Sequence, residues 1–426
     1  MDIQCEVVVV GGGTTGCCAA LAAARAGVRT LLVERNGFLG GNAANGLPWL
    51  GFHHPATGRQ VVTGIPFEII EDLQKTGGAS QLERDPICGS LVVVDSTRLK
   101  LCLAEKLAEA GVDIRLHTVV TSVARDGEGW AVGFANGGGS SVVHARTVVD
   151  ATDLGAAAIL AGVGGHYGRE SDGRPQVASA VVRIGGIDVG EMIDYFRANP
   201  LQMRPFRIAP DVLERYVARL PEADCFVLGA FPELLARART EGVDYPRDRM
   251  IGVVDARRCE FISVCSRVEN VDPRDTAAYS MAETEALRQS VAAVEVFRRY
   301  LPGFGNAQIV SSGHTIGLRE TFHMKGEYTL TAEDLMSGRT FPDAIARGGY
   351  HLDIHSPDDP GLKSQVPPVY EIPLRALRPL GVRGLYVAGR ALSATHEAQA
   401  SVRVIPILGS IGEAAGRAAA QEVLST

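Results

Sequence analysis

The chain is poor in cysteine and aromatic residues, and it has no strong excess of charge. Eight cysteines occur in 426 residues, none in a C-x-x-C pair, and only Cys17 and Cys18 are adjacent. So few thiols exclude a disulfide-stapled secreted scaffold. Neighbouring positions on a helix point in different directions, which argues against a redox dithiol at Cys17-Cys18, and the cysteine spacings argue still more against a zinc site. The expectation is small buried side chains in a reducing cytoplasm, with no bound metal. The 42 basic residues against 49 acidic ones leave a net charge of −7, so no positive field draws in nucleic acid or an anionic membrane surface. Apolar runs fall far short of the ~20 residues that a membrane-spanning helix needs, so membrane insertion is not expected. Met1-Asp2-Ile3-Gln4 lacks a basic n-region, and no secretory signal is expected. Hydrophobic residues make up 46% and charged ones 21%, enough apolar mass for a sizeable core. At about 100–200 residues per domain, the length suggests two or three domains, or one body with an inserted lobe.

Glycine is abundant instead. There are 49, against an average usage of about 7%. The first cluster follows Val7-Val8-Val9-Val10, a continuous apolar run suited to a strand buried on both faces of a parallel sheet. Gly11-Gly12-Gly13-Thr14-Thr15-Gly16 then reads G-x-G-x-x-G. A small-residue helix from Cys17 to Ala26 ends at Gly27, and Arg29 to Val33 reads as a second strand with Glu34 at its tip. Gly11 permits the tight turn, Gly13 lets the backbone approach a pyrophosphate, and Gly16 lets helix and strand pack closely. The N-terminal N–H groups and dipole of the helix then face the phosphates. Glu34, 21 residues after Gly13, stands where an acid accepts hydrogen bonds from ribose hydroxyls. This unit predicts a dinucleotide site, and both NAD and FAD use such units.

Three further stretches bear on the choice. Arg35 to Gly46 is a second glycine-rich run, Thr147 to Gly155 is a strand ending in small residues, and Gly384 to Arg390 is a strand running into Gly389. With Ile316–Glu320, Gly326–Leu330, Phe341–Ala346 and Val387–Pro406, these stretches resemble the FAD-dependent oxidoreductases whose flavin domain is of the glutathione-reductase and fumarate-reductase type. The resemblance covers nearly the whole chain, and its most specific motif is Ala388-Gly389-Arg390-Ala391-Leu392-Ser393-Ala394-Thr395-His396-Glu397-Ala398.

The resemblance implies an α/β fold: a Rossmann-like FAD-binding domain with a parallel sheet and a β-meander, plus an inserted α+β substrate domain. The flavin domain is expected at 1–167 and 370–426, and the inserted domain at 168–369. It also implies roles. Gly11, Gly13, Thr15 and Gly16 would hold the pyrophosphate. Glu34 and Arg35 would meet the AMP ribose and adenine, with Val120 giving backbone contacts to adenine. Gly40, Gly41, Asn42 and Gly46 would pass beside the ribityl chain and ring. Gly389 and Arg390 would sit by the ribityl–phosphate, Ser401, Val402 and Arg403 near the flavin pyrimidine, and Ala151 would be a further cofactor-binding residue. The sequence departs from this pattern at Arg390, where an acid is common, and at Ala151-Thr152-Asp153-Leu154-Gly155, where relatives usually read A-T-G-D-G. Some fumarate-reductase relatives attach flavin through a His before the glycines; Gly40 and Gly41 stand there, so non-covalent FAD is expected. No second strand–G-x-G-x-x-G–helix unit occurs, so electrons should pass between substrate and FAD and then to or from a separate donor or acceptor.

Elsewhere, Pro66 to Thr76, Ser96 to Ala110 (capped by Ser96), Val212 to Leu220, Thr276 to Tyr300 and Gly409 to Leu424 read as helices. Trp130, Val132 and Phe134 alternate before a glycine turn and Val142-Val143, which suggests the meander. Ala178 to Ile184, Met250 to Val254 and Glu260 to Val264 read as strands.

Oxidation by flavin needs a base for any O–H or N–H proton and a cationic group where negative charge gathers. His351, Asp353 and His355 alternate, so on a strand they share one face; His355 is the candidate acid/base group, a metal site or a hydrogen-bonded structural face being the alternatives. Arg319 either clamps a carboxylate or carbonyl oxygen of the substrate or pairs with Glu320 or a backbone carbonyl. Arg403 is a candidate for the flavin N1–C2=O edge. His53, after the second glycine run, lies either in the pocket or, with His54, on an exposed loop. His396 is either a flavin-side contact or a helix-start residue. The expected function is hydride transfer between a small organic substrate and flavin N5 by a dehydrogenase or reductase, possible as an oligomer. A flavin monooxygenase or halogenase-like enzyme and a non-catalytic electron-carrier subunit are the alternatives.

Overall fold

The computed structural model describes residues 3–203, 208–359 and 363–425, so Met1 and Asp2 of the N-terminal tetrapeptide lie outside the described residues. The four valines of the first apolar run form the strand Val7–Val10 in the middle of a five-stranded parallel sheet. Across the sheet the order is Leu385–Val387, Thr147–Asp150, Val7–Val10, Thr30–Val33, Asp113–Arg115. The chain first builds outward from Val7–Val10 in one direction, then crosses to build the other side. This reversal leaves a crevice beyond the carboxyl ends of Val7–Val10 and Thr147–Asp150, where open α/β sheets bind ligands.

Alternation along the strands divides the packing between two layers. Val7, Val9, Leu32 and Val149 join a core with the helices Thr14–Arg25 and Ile405–Leu424. Val8, Val10, Leu31 and Val148 pack instead against Trp130, Val132, Phe134 and Val143 of a meander formed by Val119–Asp126, Gly129–Asn136 and Gly139–Ala145. The two helices touch backbone to backbone. A Cβ added at Gly412 would stand 2.1 Å from Thr15 O, and one at Gly416 2.0 Å from Ala19 O. That contact fixes the helix that begins at the glycine loop.

A second, antiparallel sheet has the order Cys225–Ala230, Met250–Asp255, Glu260–Ser263, Val182–Gly185, Gln308–Ser312. Both faces are buried over the first four strands, whereas the edge strand Gln308–Ser312 is largely exposed. Phe226, Leu228, Val254 and Phe261 face a core with Phe196, Phe231, Phe297 and Phe304, while Cys225, Val227, Val253 and Ile262 belong to the flavin-side core. Buried residues of the second core run from Ala178 to Leu318, whereas Leu330, Leu335, Phe341, Tyr350 and Leu352 pack into the first.

Some boundaries differ from the sequence expectation. Asp95, not Ser96, caps the helix Ser96–Glu109, its carboxylate accepting from Arg98 N. The last helix begins at Ile405, because Pro406 in a first turn removes only an N–H that had no helical partner. The strand expected from Ala178 is Val182–Gly185; before it, Ala178 and Ser179 make single bridges to Val268 and Gly317. All eight cysteines are free, five of them buried. Among the described residues no helix is long and apolar enough to cross a membrane.

Candidate functional site

The glycine loop builds one wall of the site. Gly11 has φ +103°, and a Cβ at Gly16 would stand 1.7 Å from Gly11 O, so the turn and the helix close on each other. Gly13 is different: nothing lies within 4 Å of the Cβ position it leaves empty. It precedes the helix Thr14–Arg25 without a side-chain cap, so the first helical N–H groups remain available to an anion. The second glycine run folds over the first. Gly40, with φ +98°, donates to Gly12 O at 2.8 Å, and Thr14 Oγ1 donates to Gly40 O at 3.2 Å. Glu34 is held at its strand tip, Oε2 accepting from Gly12 N and Oε1 from Asn36 N, both at 2.7 Å. Burial pushes its carboxyl above the ordinary value, and the two N–H donors oppose that push.

These groups line a cavity of about 480 Å³ at the sheet crevice. Of the residues singled out from the sequence, the lining includes Gly11, Gly13, Thr15, Glu34, Arg35, Gly40, Gly41, Asn42, Val120, Ala151, Arg319, His355, Arg390 and Arg403. Others lie behind it. Gly16 packs against Gly11, and Gly46, with φ +99°, turns the chain beside Arg183. Gly389, at φ +84°, precedes Arg390. Val402 is fully buried, and Ser401 Oγ bonds Tyr350 O and the Tyr370 hydroxyl. His53 is buried rather than on an exposed loop, with Nδ1 3.2 Å from Ser90 Oγ, and is not part of the lining. His54 is buried too, its Nε2 2.8 Å from Pro367 O. His396 opens the helix His396–Val402 and bonds Glu320, also away from the cavity.

The residues fit FAD. Gly13 leaves an open cradle at a helix N-terminus, and Glu34 stands beside it. Two lining arginines, Arg390 and Arg403, keep a buried Nε with no partner, as suits cavity walls that face acceptor groups. Arg390 Nη2 also pairs with Asp153 Oδ2 at 2.5 Å.

The other wall carries acid–base groups. The strand Leu352–Ile354 presents Asp353 to the cavity, with His351 and His355 flanking it on the same side. His355 Nε2 lies 3.2 Å from Asp353 Oδ1. Arg403 Nη2 donates to Asp353 Oδ2 at 2.8 Å and to its carbonyl at 2.9 Å. Burial pushes the Asp353 carboxyl up, but His355 and Arg403 outweigh it and hold the group well below the usual range. Burial, with the charge of Arg319, lowers His355 from 6.5 to about 3, so its imidazole is neutral at neutral pH. With its proton on Nε2 toward Asp353, Nδ1 is left as an acceptor.

Arg319 Nη1 donates to Val177 O at 2.6 Å and Ser179 Oγ at 2.9 Å. It does not pair with Glu320. That carboxylate accepts from Gln176 N at 2.8 Å and meets His396 Nδ1 at 2.8 Å and His323 Nε2 at 2.9 Å. Opposite lies an apolar wall from the antiparallel sheet, where Val227, Val253 and Ile262 are direct cross-strand partners. Sequence reasoning missed this wall. Its signal is a strand such as Cys225–Ala230 that is apolar on both faces, one face being needed for a core and the other left for the cavity. Ser179 and the His323–Glu320–His396 cluster were missed too, since no spacing links Ser179 to Arg319 or His396 to the Glu320–His323 pair.

No curated protein matches the chain by sequence. Among solved structures, the flavin-dependent brominase Bmp2 is similar with a TM-score of 0.53 and 14% identity, over 99% of this chain and 80% of that one. A geranylgeranyl bacteriochlorophyll reductase-like protein from Thermoplasma acidophilum is similar at TM-score 0.45 and 13% identity, over 100% of this chain and 79% of that one. The p-nitrophenol 4-monooxygenase PnpA from Pseudomonas putida DLL-E4 is similar at TM-score 0.44 and 12% identity, over 77% and 70% of the two chains. The brominase likeness shows the fold. The family described as FAD dependent oxidoreductase matches residues 6–425, and with a cavity built for that cofactor the chain belongs to the FAD-dependent oxidoreductase family.

Proposed function

We propose that the protein is a dehydrogenase or reductase in which non-covalent FAD supplies, at N5, the acceptor or donor of a hydride exchanged with a carbon of a small organic substrate. A flavin domain of the glutathione-reductase and fumarate-reductase type accords with the glycine loop, and a separate partner carries the electrons. Residues 168–369 are proposed as the inserted substrate lobe, with its own core between Ala178 and Leu318.

The observation that carries this reading is the 3.2 Å contact of His355 Nε2 with Asp353 Oδ1 in the cavity that Glu34 and Gly13 also line. Asp353 holds the Nε2 proton, so Nδ1 takes a proton from a substrate O–H or N–H. Arg403 keeps Asp353 ionised and in place. Arg319 binds the substrate oxygen where charge gathers. The antiparallel sheet closes the cavity with aliphatic side chains, which exclude water from the reacting carbon.

The test is anaerobic titration of the purified holoenzyme with alcohols, amines, enoyl and steroid-like compounds. Bleaching of the flavin absorbance by one class supports the reading. If no compound bleaches it while a redox protein does, the reading fails. Fast reaction of the reduced protein with oxygen, with an oxygen atom or halogen placed on the substrate, assigns the monooxygenase or halogenase chemistry instead.

A further inference from the structure

We infer that the substrate carries a carboxylate on an apolar body, the carboxylate docking on Arg319 and the body lying against Val227, Val253 and Ile262. The inference rests on the proposed function in taking the occupant of this wall as the substrate.

Charge is out of balance around this part of the cavity. Arg247, Arg403 and Arg267 all act on Arg319, where Asp353 is the opposing carboxylate, and Asp248 opposes Arg247. Asp353 is already engaged by Arg403 and His355. Arg247 is 2% exposed, and its donors end on neutral oxygens: Cys265 O at 2.9 Å, Ser266 O at 2.9 Å and Ser179 Oγ at 3.2 Å. Ser179 Oγ is shared, since Arg319 Nη1 also donates to it. Neither Arg247 nor Arg319 forms an ion pair among the described residues. A cation held away from water without an ion-pair partner is costly, so an anion bound at Arg319 is favoured.

The form of the missing anion follows from the donors left over. Arg319 lines the cavity, and its Nε and Nη2 have no acceptor among the described residues. Those two N–H groups form one planar edge, which matches the two oxygens of a carboxylate. A dianionic phosphate fits less well, because Asp353 lines the same space and would repel it. The aliphatic cross-strand row of Val227, Val253 and Ile262 offers no hydrogen bond, so the remainder of the molecule is apolar.

The test is calorimetric titration of the oxidised holoenzyme with octanoate and phenylacetate, each against its amide, octanamide and phenylacetamide. The acids are expected to bind about tenfold tighter than the amides or better. Arg319→Gln is expected to erase the preference at unchanged flavin content, and Arg319→Lys to keep part of it. Equal binding of acid and amide, or binding of neither, overturns the inference. So does an R319Q protein that sheds flavin yet keeps the preference, because Arg319 would then serve the cofactor. Acids that bind but never bleach the flavin leave this site standing and count only against the hydride reading.

Discussion

Arg390 Nη2 and Asp153 Oδ2 stand 2.5 Å apart, so the two positions at which the sequence leaves the pattern of its relatives pair with each other. An arginine stands where an acid is expected after the late glycine, and Asp153 stands where the expected pattern has glycine. The Asp153 side chain is half exposed, so the pair itself adds little stability. Arg390 is buried, and its Nε is left over on the cavity side of the fold. Arg390→Ala should therefore weaken FAD rather than the fold. Losing a charge-assisted contact predicts a rise in the FAD dissociation constant of about tenfold to hundredfold. Titration of apoprotein by flavin fluorescence quenching checks it, with the melting temperature of the apoprotein as control.

The glycines of the two touching helices should behave in the opposite way. A methyl group at Gly412 meets Thr15 O at 2.1 Å and can be accommodated only by parting the helices. Gly412→Ala is expected to cost about 1–3 kcal/mol or more of stability. Denaturant unfolding of the apoprotein measures it directly.

His355 is the group on which proton transfer is placed. His355→Asn should leave FAD bound and slow flavin reduction by substrate about 10²- to 10⁴-fold. Stopped-flow reduction under anaerobic conditions gives the rate, and the flavin-to-protein absorbance ratio shows that the cofactor remains.

Stability should fall in acid for two separable reasons. Burial lowers His355 from 6.5 to about 3, so between those values the unfolded chain binds the extra proton and stability drops as pH falls. Burial raises Glu320, but His323 and His396 outweigh it and take it from 4.5 to about 2; its contribution is present above 4.5 and is lost as pH falls toward 2. His396 runs the other way. Burial lowers it and Glu320 more than restores it, so the net shift is upward, and its contribution is present below 6.5 and lost as pH rises through the raised value. Glu320→Gln, which leaves a buried pair half empty, should cost about 3–5 kcal/mol near neutral pH. Melting temperature against pH for the unaltered protein, H355N and E320Q separates these contributions.

The flavin half of the fold was legible because its chemistry is local. Val7 to Glu34 carries strand, turn, helix and acid within one unit, and each glycine has a steric reason visible in the sequence. The helix Thr276–Tyr300 falls where its apolar spacing predicts. The wall of His351, Asp353 and His355 was half legible: their alternation gives a common face, but not the 2.8 Å contact of Asp353 with Arg403, which is 50 residues away. The sequence left open whether Arg319 meets Glu320 or a backbone carbonyl, and it donates to Val177 O. Adjacent residues point apart, and Glu320 is claimed by two histidines, one of them from the last quarter of the chain. Long-range partners of this kind are chosen by packing, and periodicity is silent about them.

The most direct measurement is FAD binding by the apoprotein, with and without Gly13→Val. Nothing surrounds the Cβ position of Gly13, so the variant should fold as well as the unaltered chain. The account predicts one FAD per chain for the unaltered protein and none for a folded G13V. A colourless protein that refuses FAD, or a G13V protein that binds it equally well, contradicts it.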